Sequence, residues 1–453
     1  MHTDLNGIAT DLPDAAALAA WDRVQHGALA HGAWTGTALD ELLRAAPGFA
    51  AGHAAKGLFL VSLCRSELTP AATRAAMAAR NLLTGAPEPR AAAYLDALDC
   101  CLSGHHAAGA VALETWLAGT PRDALAMKLA QSLRFLTGNP AAMRAGAVRL
   151  LPLWEDHPAR GYLLGCHAFA LEETGAYRAA EAAGRAGLEL SPDDAWGLHA
   201  VAHVMDMTGR AADGVRWLAG RSAHWEHCNN FGYHVWWHLA LFHLDRGATG
   251  PALELYDRRV RPQDTDDFRD IANAASLLLR LEFEGAGVGP RWEALAALAA
   301  ARVDDGALVF ADLHYQVALV RAGRVAEAEA LAARLARDAA RPGHDQHEIA
   351  ALSGVPLARG LLQFREGAYG AAARSLVQGL ARAQGLGGSH AQRDLFQRLA
   401  IEAALRAGAT DTALALLAHR NAGRGGADGY SARVRARAED RHRTLASGGL
   451  AAE

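Results

Sequence analysis

Two histidine pairs stand at the spacing that lets one helix face offer both rings to the same object. The first is in Trp196-Gly-Leu-His199-Ala-Val-Ala-His203, the second in Tyr233-His234-Val-Trp-Trp237-His238. Residues four apart on a helix lie about 5–6 Å apart between Cβ atoms, close enough for both imidazoles to hold one divalent metal. His199 and His203 form the H-x-x-x-H half of a zincin motif, but position 200 is alanine where the general-base glutamate belongs, so a metalloprotease is excluded. Asp312 and His314 open a later helix in Phe310-Ala-Asp312-Leu-His314 and add a carboxylate and an imidazole, each a ligand or a proton carrier. Gly387-Gly388-Ser389-His390-Ala391-Gln392-Arg393-Asp394 reads as a glycine turn with Ser389 capping a helix. Its Arg393 can clamp a carboxylate in bidentate fashion or pair with Asp394.

These residues need elements to position them, and the glycines mark those elements. Glycine ends an apolar helical stretch at positions 104, 138, 175, 209, 247, 285, 323, 367 and 408, at intervals of 34 to 44 residues. That rhythm predicts repeated helix-turn-helix units. The clearest unit runs from Pro158 to Pro192. Its first helix covers Gly161–Thr174, the turn is Gly175-Ala176, and the second helix covers Tyr177–Leu190. Ser191 is then expected to cap the next helix, with Pro192 in its first turn. The expected fold is all-α, a tetratricopeptide-like α-solenoid in which helix-turn-helix repeats form a superhelix. First helices of successive repeats line its concave face, so the two histidine pairs can share one groove. The expected organisation is irregular capping helices over 1–90, repeats over 91–284, a joint at Gly285–Pro290, further repeats over 291–419 and a polar tail over 420–453.

Composition agrees. Of 453 residues, 51% are hydrophobic, much of that alanine, the best helix former. This excludes wholesale disorder. With 45 basic and 49 acidic side chains the net charge is −4, which argues against nucleic acid as main partner. Only Lys56 and Lys128 are lysines, a coding bias toward arginine rather than a function. The five cysteines, with no C-x-x-C pair, suit reduced thiols in the cytoplasm. No apolar run is long enough for a membrane span, and residues 1–13 lack the basic start of a secretory signal.

At the motifs above the chain resembles the tetratricopeptide repeat protein 38 family. The likeness rests on Asp194-Ala195-Trp196 with His199 and His203, on His234, Trp237 and His238, on Arg280-Leu281 with Glu284-Gly285, on Phe310, Asp312 and His314, and on Gly387-Gly388-Ser389 with Gln392-Arg393-Asp394. It implies a tetratricopeptide-like fold, marks these positions as ones the family uses, and adds Asp270 and Asn273. It brings no activity, and it does not extend to His224 and His227.

Two functions remain open at this point. One is a polar pocket for a small ligand, metal-assisted or acid/base in chemistry. There His199, His203, His234 and His238 are ligands or proton carriers and Asp312 with His314 a general-base pair. Trp196, Trp237, Asp270, Asn273, Gln392, Arg393 and Asp394 bind the ligand, Arg393 as an anion clamp. A divalent metal is the one cofactor suggested. The other is an interaction scaffold with a peptide or partner in its groove. The blandest alternative makes the histidines a buried hydrogen-bond network. Nothing in the sequence sets the oligomeric state.

Overall fold

A computed structural model describes residues 2–85 and 88–449, apart from the side chains at 442 and 444–449. The described residues are overwhelmingly helical, with one short antiparallel strand pair, His2–Thr3 against Ala9–Thr10. The fold is all-α and built as a tetratricopeptide-like helical solenoid. Two compact units divide the chain. One comprises Met1–Val201, Arg221–Val235 and Gly343–Gln346; the other comprises Ala202–Gly220, Trp236–Pro342 and His347–Glu453.

The glycine rhythm is the grammar of the fold. All nine glycines carry φ between 62° and 82°. Gly175 shows what each turn does. Its N–H donates to the Glu172 carbonyl at 2.9 Å, and the next N–H, of Ala176, reaches back to Leu171 at 2.8 Å. This Schellman pairing satisfies the last carbonyls of helix Arg160–Glu173, and the left-handed residue it requires is cheap only for glycine. The second helix, Tyr177–Leu190, then folds back along the first, burying Ala180, Gly184 and Gly187. A Cβ on Gly187 would meet the Gly161 carbonyl oxygen at 2.8 Å, so backbone lies nearly on backbone. Small residues on paired faces explain why an alanine-rich chain can reach native packing density without large side chains.

In the first unit, the described residues before position 90 form regular helices rather than irregular ones: Ala15–Ala30, Thr35–Ala45, Ala50–Ser62 and Thr69–Leu83. Trp21 is fully buried and meets Phe49 edge-on, with ring centroids 5.1 Å apart. Arg90 bridges Asp4 at 2.9 Å and Asp123 at 3.2 Å in the interior, pinning the strand segment to the helices. Asp123 also takes the Tyr94 hydroxyl at 2.9 Å. A buried charge needs such partners, because desolvation alone would cost several kcal/mol.

In the second unit, Gly285–Pro290 is a short link from helix Phe268–Phe283 to helix Arg291–Ala300, inside one compact body rather than a joint between halves. The expected polar tail is also different. Helix Gly429–Gly449 occupies most of it and buries Tyr430, Val434 and Ala438, with Arg433 on Glu284 at 2.6 Å and Arg437 on Glu402 at 2.9 Å. Residues 450–453 lie outside the described residues. None of the five cysteines forms a disulfide among the described residues. No described helix is long and apolar enough to cross a membrane.

Candidate metal centre

Helix Ala195–Met207 carries His199 and His203, and helix Phe231–Asp245 carries His234 and His238. The first helix begins at Ala195, not at Pro192 as the sequence suggested. Asp194 stands just before it, its backbone carbonyl taking the Leu198 N–H at 3.0 Å, while Ser191 ends the preceding helix. Burial first of all, against the pull of Lys128, raises the Asp194 carboxyl to about 7.

The i, i+4 spacing brings the rings together in two pairs. His199 and His234 approach with their Nε2 atoms 3.3 Å apart, and His203 meets His238 with ring centroids 4.4 Å apart. One nitrogen from each of the four lies within 4.8 Å of the others. His199, His203 and His238 are at most 1% exposed, and His234 is half-buried. The Nδ1 of His199 sits 3.2 Å from the Trp196 carbonyl oxygen. A carbonyl only accepts, so this bond places the proton on Nδ1 and leaves Nε2 as a lone pair aimed at His234. Metal-binding histidines are usually oriented in this way.

The spacing fits a tetrahedral ion. Zinc–imidazole bonds of about 2.0–2.1 Å imply about 3.3–3.4 Å between neighbouring ligand nitrogens. The His199–His234 edge already has that length. The longest separation, within 4.8 Å, requires ring movements of about an ångström.

Aromatic rings wall the cluster. On the His199 side, Trp196 lies 4.9 Å away between centroids and Phe231 5.2 Å, and His31 stacks on Phe231 at 4.3 Å. On the His238 side Trp237 is fully buried with its ring 4.9 Å away, and the Arg280 guanidinium sits over that indole at 5.6 Å. Trp196 and Trp237, expected as ligand contacts, thus pack around the histidines themselves. Trp196 also carries the Lys128 ammonium over its ring at 5.1 Å.

The other expected site residues are occupied elsewhere in the second unit. Asp312 and His314 do not form a base pair. Two positions apart on a helix, they point to different neighbours: Asp312 pairs with Arg334 at 2.5 Å, and His314 donates from Nδ1 to the Phe310 carbonyl at 2.8 Å. Arg393 is not a free anion clamp, since it donates to the carbonyls of Gly387 and Gly388 and to Gln384 at 3.1 Å, tying down the loop before its own helix. Gln392 closes a capping box with Ser389, as the Ser389 cap itself was expected to begin. Asp394 joins Arg398 at 2.6 Å and Arg420 at 2.5 Å. Asp270 accepts the Thr265 hydroxyl at 2.5 Å and is raised to about 6 by burial, with Asn273 buried one turn along. His224 and His227 sit on the backbone carbonyls of Pro192 and Ala30, consistent with leaving them out of the cluster.

No protein-family model matches the chain. Among solved structures it is similar to the human IFIT1 dimer with m7Gppp-AAAA, at 15% identity over 89% of this chain and 90% of that one, with a TM-score of 0.40. The human IFIT1 dimer with PPP-AAAA matches at 14% identity over 85% and 87%, with a TM-score of 0.42. The Naa15/Naa10 complex bound to HypK-THB matches at 13% identity over 87% and 67%, with a TM-score of 0.25.

Proposed function

We propose that this tetratricopeptide-like chain, kin by its motifs to the tetratricopeptide repeat protein 38 family, holds a divalent transition metal on His199, His203, His234 and His238 and uses it to bind a small polar ligand. The observation that carries this reading is the convergence of four imidazole nitrogens within 4.8 Å on two helices. All-nitrogen tetrahedral sets suit zinc, cobalt or copper better than calcium or magnesium, which prefer oxygen. His199, His203 and His238 form a buried three-ligand core, and the more accessible His234 is the ligand that a substrate oxygen displaces. Three fixed ligands with one exchangeable position are the arrangement of catalytic rather than structural zinc. Five cysteines without a disulfide support a cytoplasmic location.

The experiment is metal analysis of the purified protein before and after chelation, followed by titration with zinc, cobalt and manganese. One equivalent of zinc or cobalt is expected in the wild type, none in His203→Ala, and weaker binding in His234→Ala. No bound metal and an unchanged melting temperature on adding all three ions would sink the reading. A stoichiometric protein partner lost on groove substitutions would instead favour the scaffold.

A further inference from the structure

The first unit also contains a cleft of about 480 Å3, a volume typical of small-molecule sites. Asp22, His26, Tyr162 and Asp193 line it together with Leu29 and Leu190, and none of the four clustered histidines belongs to it. Helix Ala15–Ala30 places Asp22 and His26 one turn apart on the same face. Asp193 comes from the turn after helix Tyr177–Leu190, and Tyr162 from helix Arg160–Glu173.

Asp193 is gripped on both oxygens. The Tyr162 hydroxyl donates to Oδ1 at 2.6 Å, and His26 Nε2 donates to Oδ2 at 2.7 Å. Burial works to raise this carboxyl, but the bonds from His26 and Tyr162 outweigh it and hold the group at about 2, so it remains a carboxylate. A carboxylate fixed at both ends fixes the imidazole in turn. Nε2 carries the proton and Nδ1 is left as an acceptor, the orientation an aspartate imposes in His–Asp dyads. Asp22 accepts the Leu5 N–H at 3.0 Å through Oδ1. The arginine on this wall, Arg23, is turned to Glu41 at 2.8 Å. The cleft therefore presents two carboxylates and an imidazole lone pair against aliphatic Leu29 and Leu190. A cleft rich in acceptors favours a ligand that brings N–H donors and positive charge.

We propose that this cleft binds a small aliphatic ammonium compound, its N–H donors received by Nδ1 of His26 and the carboxylate of Asp22, its hydrocarbon part lying on Leu29 and Leu190. The site shares no residue with the histidine cluster and stands independently of any metal there.

Calorimetric titration of the full chain with n-butylamine and 1,4-diaminobutane tests it, with pentanoate as the anionic control. Saturable binding of at least one amine and none of pentanoate is expected. Asp22→Asn and His26→Ala should each weaken binding by about tenfold or more, the usual effect of deleting a hydrogen bond to a charged group. His26→Phe keeps an aromatic ring beside Trp34 and Tyr162 while removing both nitrogens, and it too should lose binding. His203→Ala should bind amines as the wild type does. The proposal is overturned if neither amine saturates at millimolar concentration, if pentanoate binds as well as the amines, or if the His26 and Asp22 variants bind unchanged.

Discussion

Asp394 receives Arg420 at 2.5 Å although 26 residues separate them, and both side chains are buried. Arg398 lies on the same carboxylate at 2.6 Å, and Arg280 approaches it at 3.6 Å. Asp428 takes the other side of Arg420 at 2.7 Å. This chain of charges joins helices His390–Arg406 and Thr410–Ala422 to the start of helix Gly429–Gly449.

Removing the Asp394 charge should therefore be severe. Asp394→Asn leaves buried guanidinium groups without their central anion, and breaking such a pair costs about 3–5 kcal/mol. Arg23→Ala, which deletes a pair whose side chains are 53% and 42% exposed, should cost no more than about 1 kcal/mol. Urea unfolding of both variants checks the contrast. The acid limb follows from the same group. Burial alone would raise Asp394, but Arg398 and Arg420 pull it well below its ordinary value. A depressed carboxylate stabilises above its unfolded pKa of about 4 and loses that contribution as pH falls below it.

Asp312 and His314 give a second pH signature, of opposing signs. Burial holds His314 down at about 4, so between that value and an unfolded pKa near 6.5 the unfolded chain binds the extra proton. Its contribution to stability is complete above pH 6.5 and is lost on acidification through that window, at up to about 1.4 kcal/mol per pH unit. Asp312 is raised to about 6, burial outweighing Arg334, so its contribution is complete below about pH 4 and is lost as pH rises through 6. Relative to the wild type, His314→Leu should lose stability as pH rises from 4.5 to 6 and Asp312→Asn should gain it. Melting temperatures of the three proteins at both pH values decide this, and parallel curves would refute both assignments.

The repeats were legible because a left-handed turn all but demands glycine, and the chain supplies nine. The first ninety residues were not, because there the left-handed turns that follow helices Ala15–Ala30 and Ala50–Ser62 fall on His31 at φ 57° and Cys64 at φ 48° rather than on glycine. The histidine pairs were legible because helical spacing is local, so 199 with 203 and 234 with 238 could be aligned before any packing was known. The roles given to Arg393, Asp312 and His314 failed for the converse reason. A buried charge takes whatever partner the fold brings, and Arg334 or the Gly388 carbonyl cannot be read from the residue that needs it. The cleft at His26 is not legible in the sequence, because Asp193 reads as an ordinary helix-start acid and its partner on helix Ala15–Ala30 lies 167 residues away.

Metal binding at the histidine cluster should be acid-labile and stabilising. An imidazole binds metal only when neutral, so protons compete for every ligand and occupancy should fall steeply as pH drops through about 6. Free zinc at about 100 times its dissociation constant should raise stability by about 2.7 kcal/mol at neutral pH. At pH 5 the increment should vanish. Thermal melts with and without zinc at the two pH values measure it, and an equal shift at both would assign the metal to ligands other than these histidines.

Three glycines separate backbone conformation from packing. Gly36 lies in helix Thr35–Ala45 with nothing near the position a Cβ would take, so Gly36→Ala should stabilise by about 0.5–1 kcal/mol through lost freedom of the unfolded chain. Gly175 also has open space, but its φ of 79° strains any side chain, and Gly175→Ala should cost about 1–2 kcal/mol. Gly187→Ala places its methyl 2.8 Å from the Gly161 carbonyl and 3.2 Å from Leu164 Cβ, so the helix pair must separate. That overpacking should cost about 1–3 kcal/mol although the substitution favours the helix itself. Denaturation midpoints should thus rank Gly36→Ala above wild type and both others below it. If Gly187→Ala proved neutral, the close backbone approach of these two helices would not be the feature that holds the repeat together.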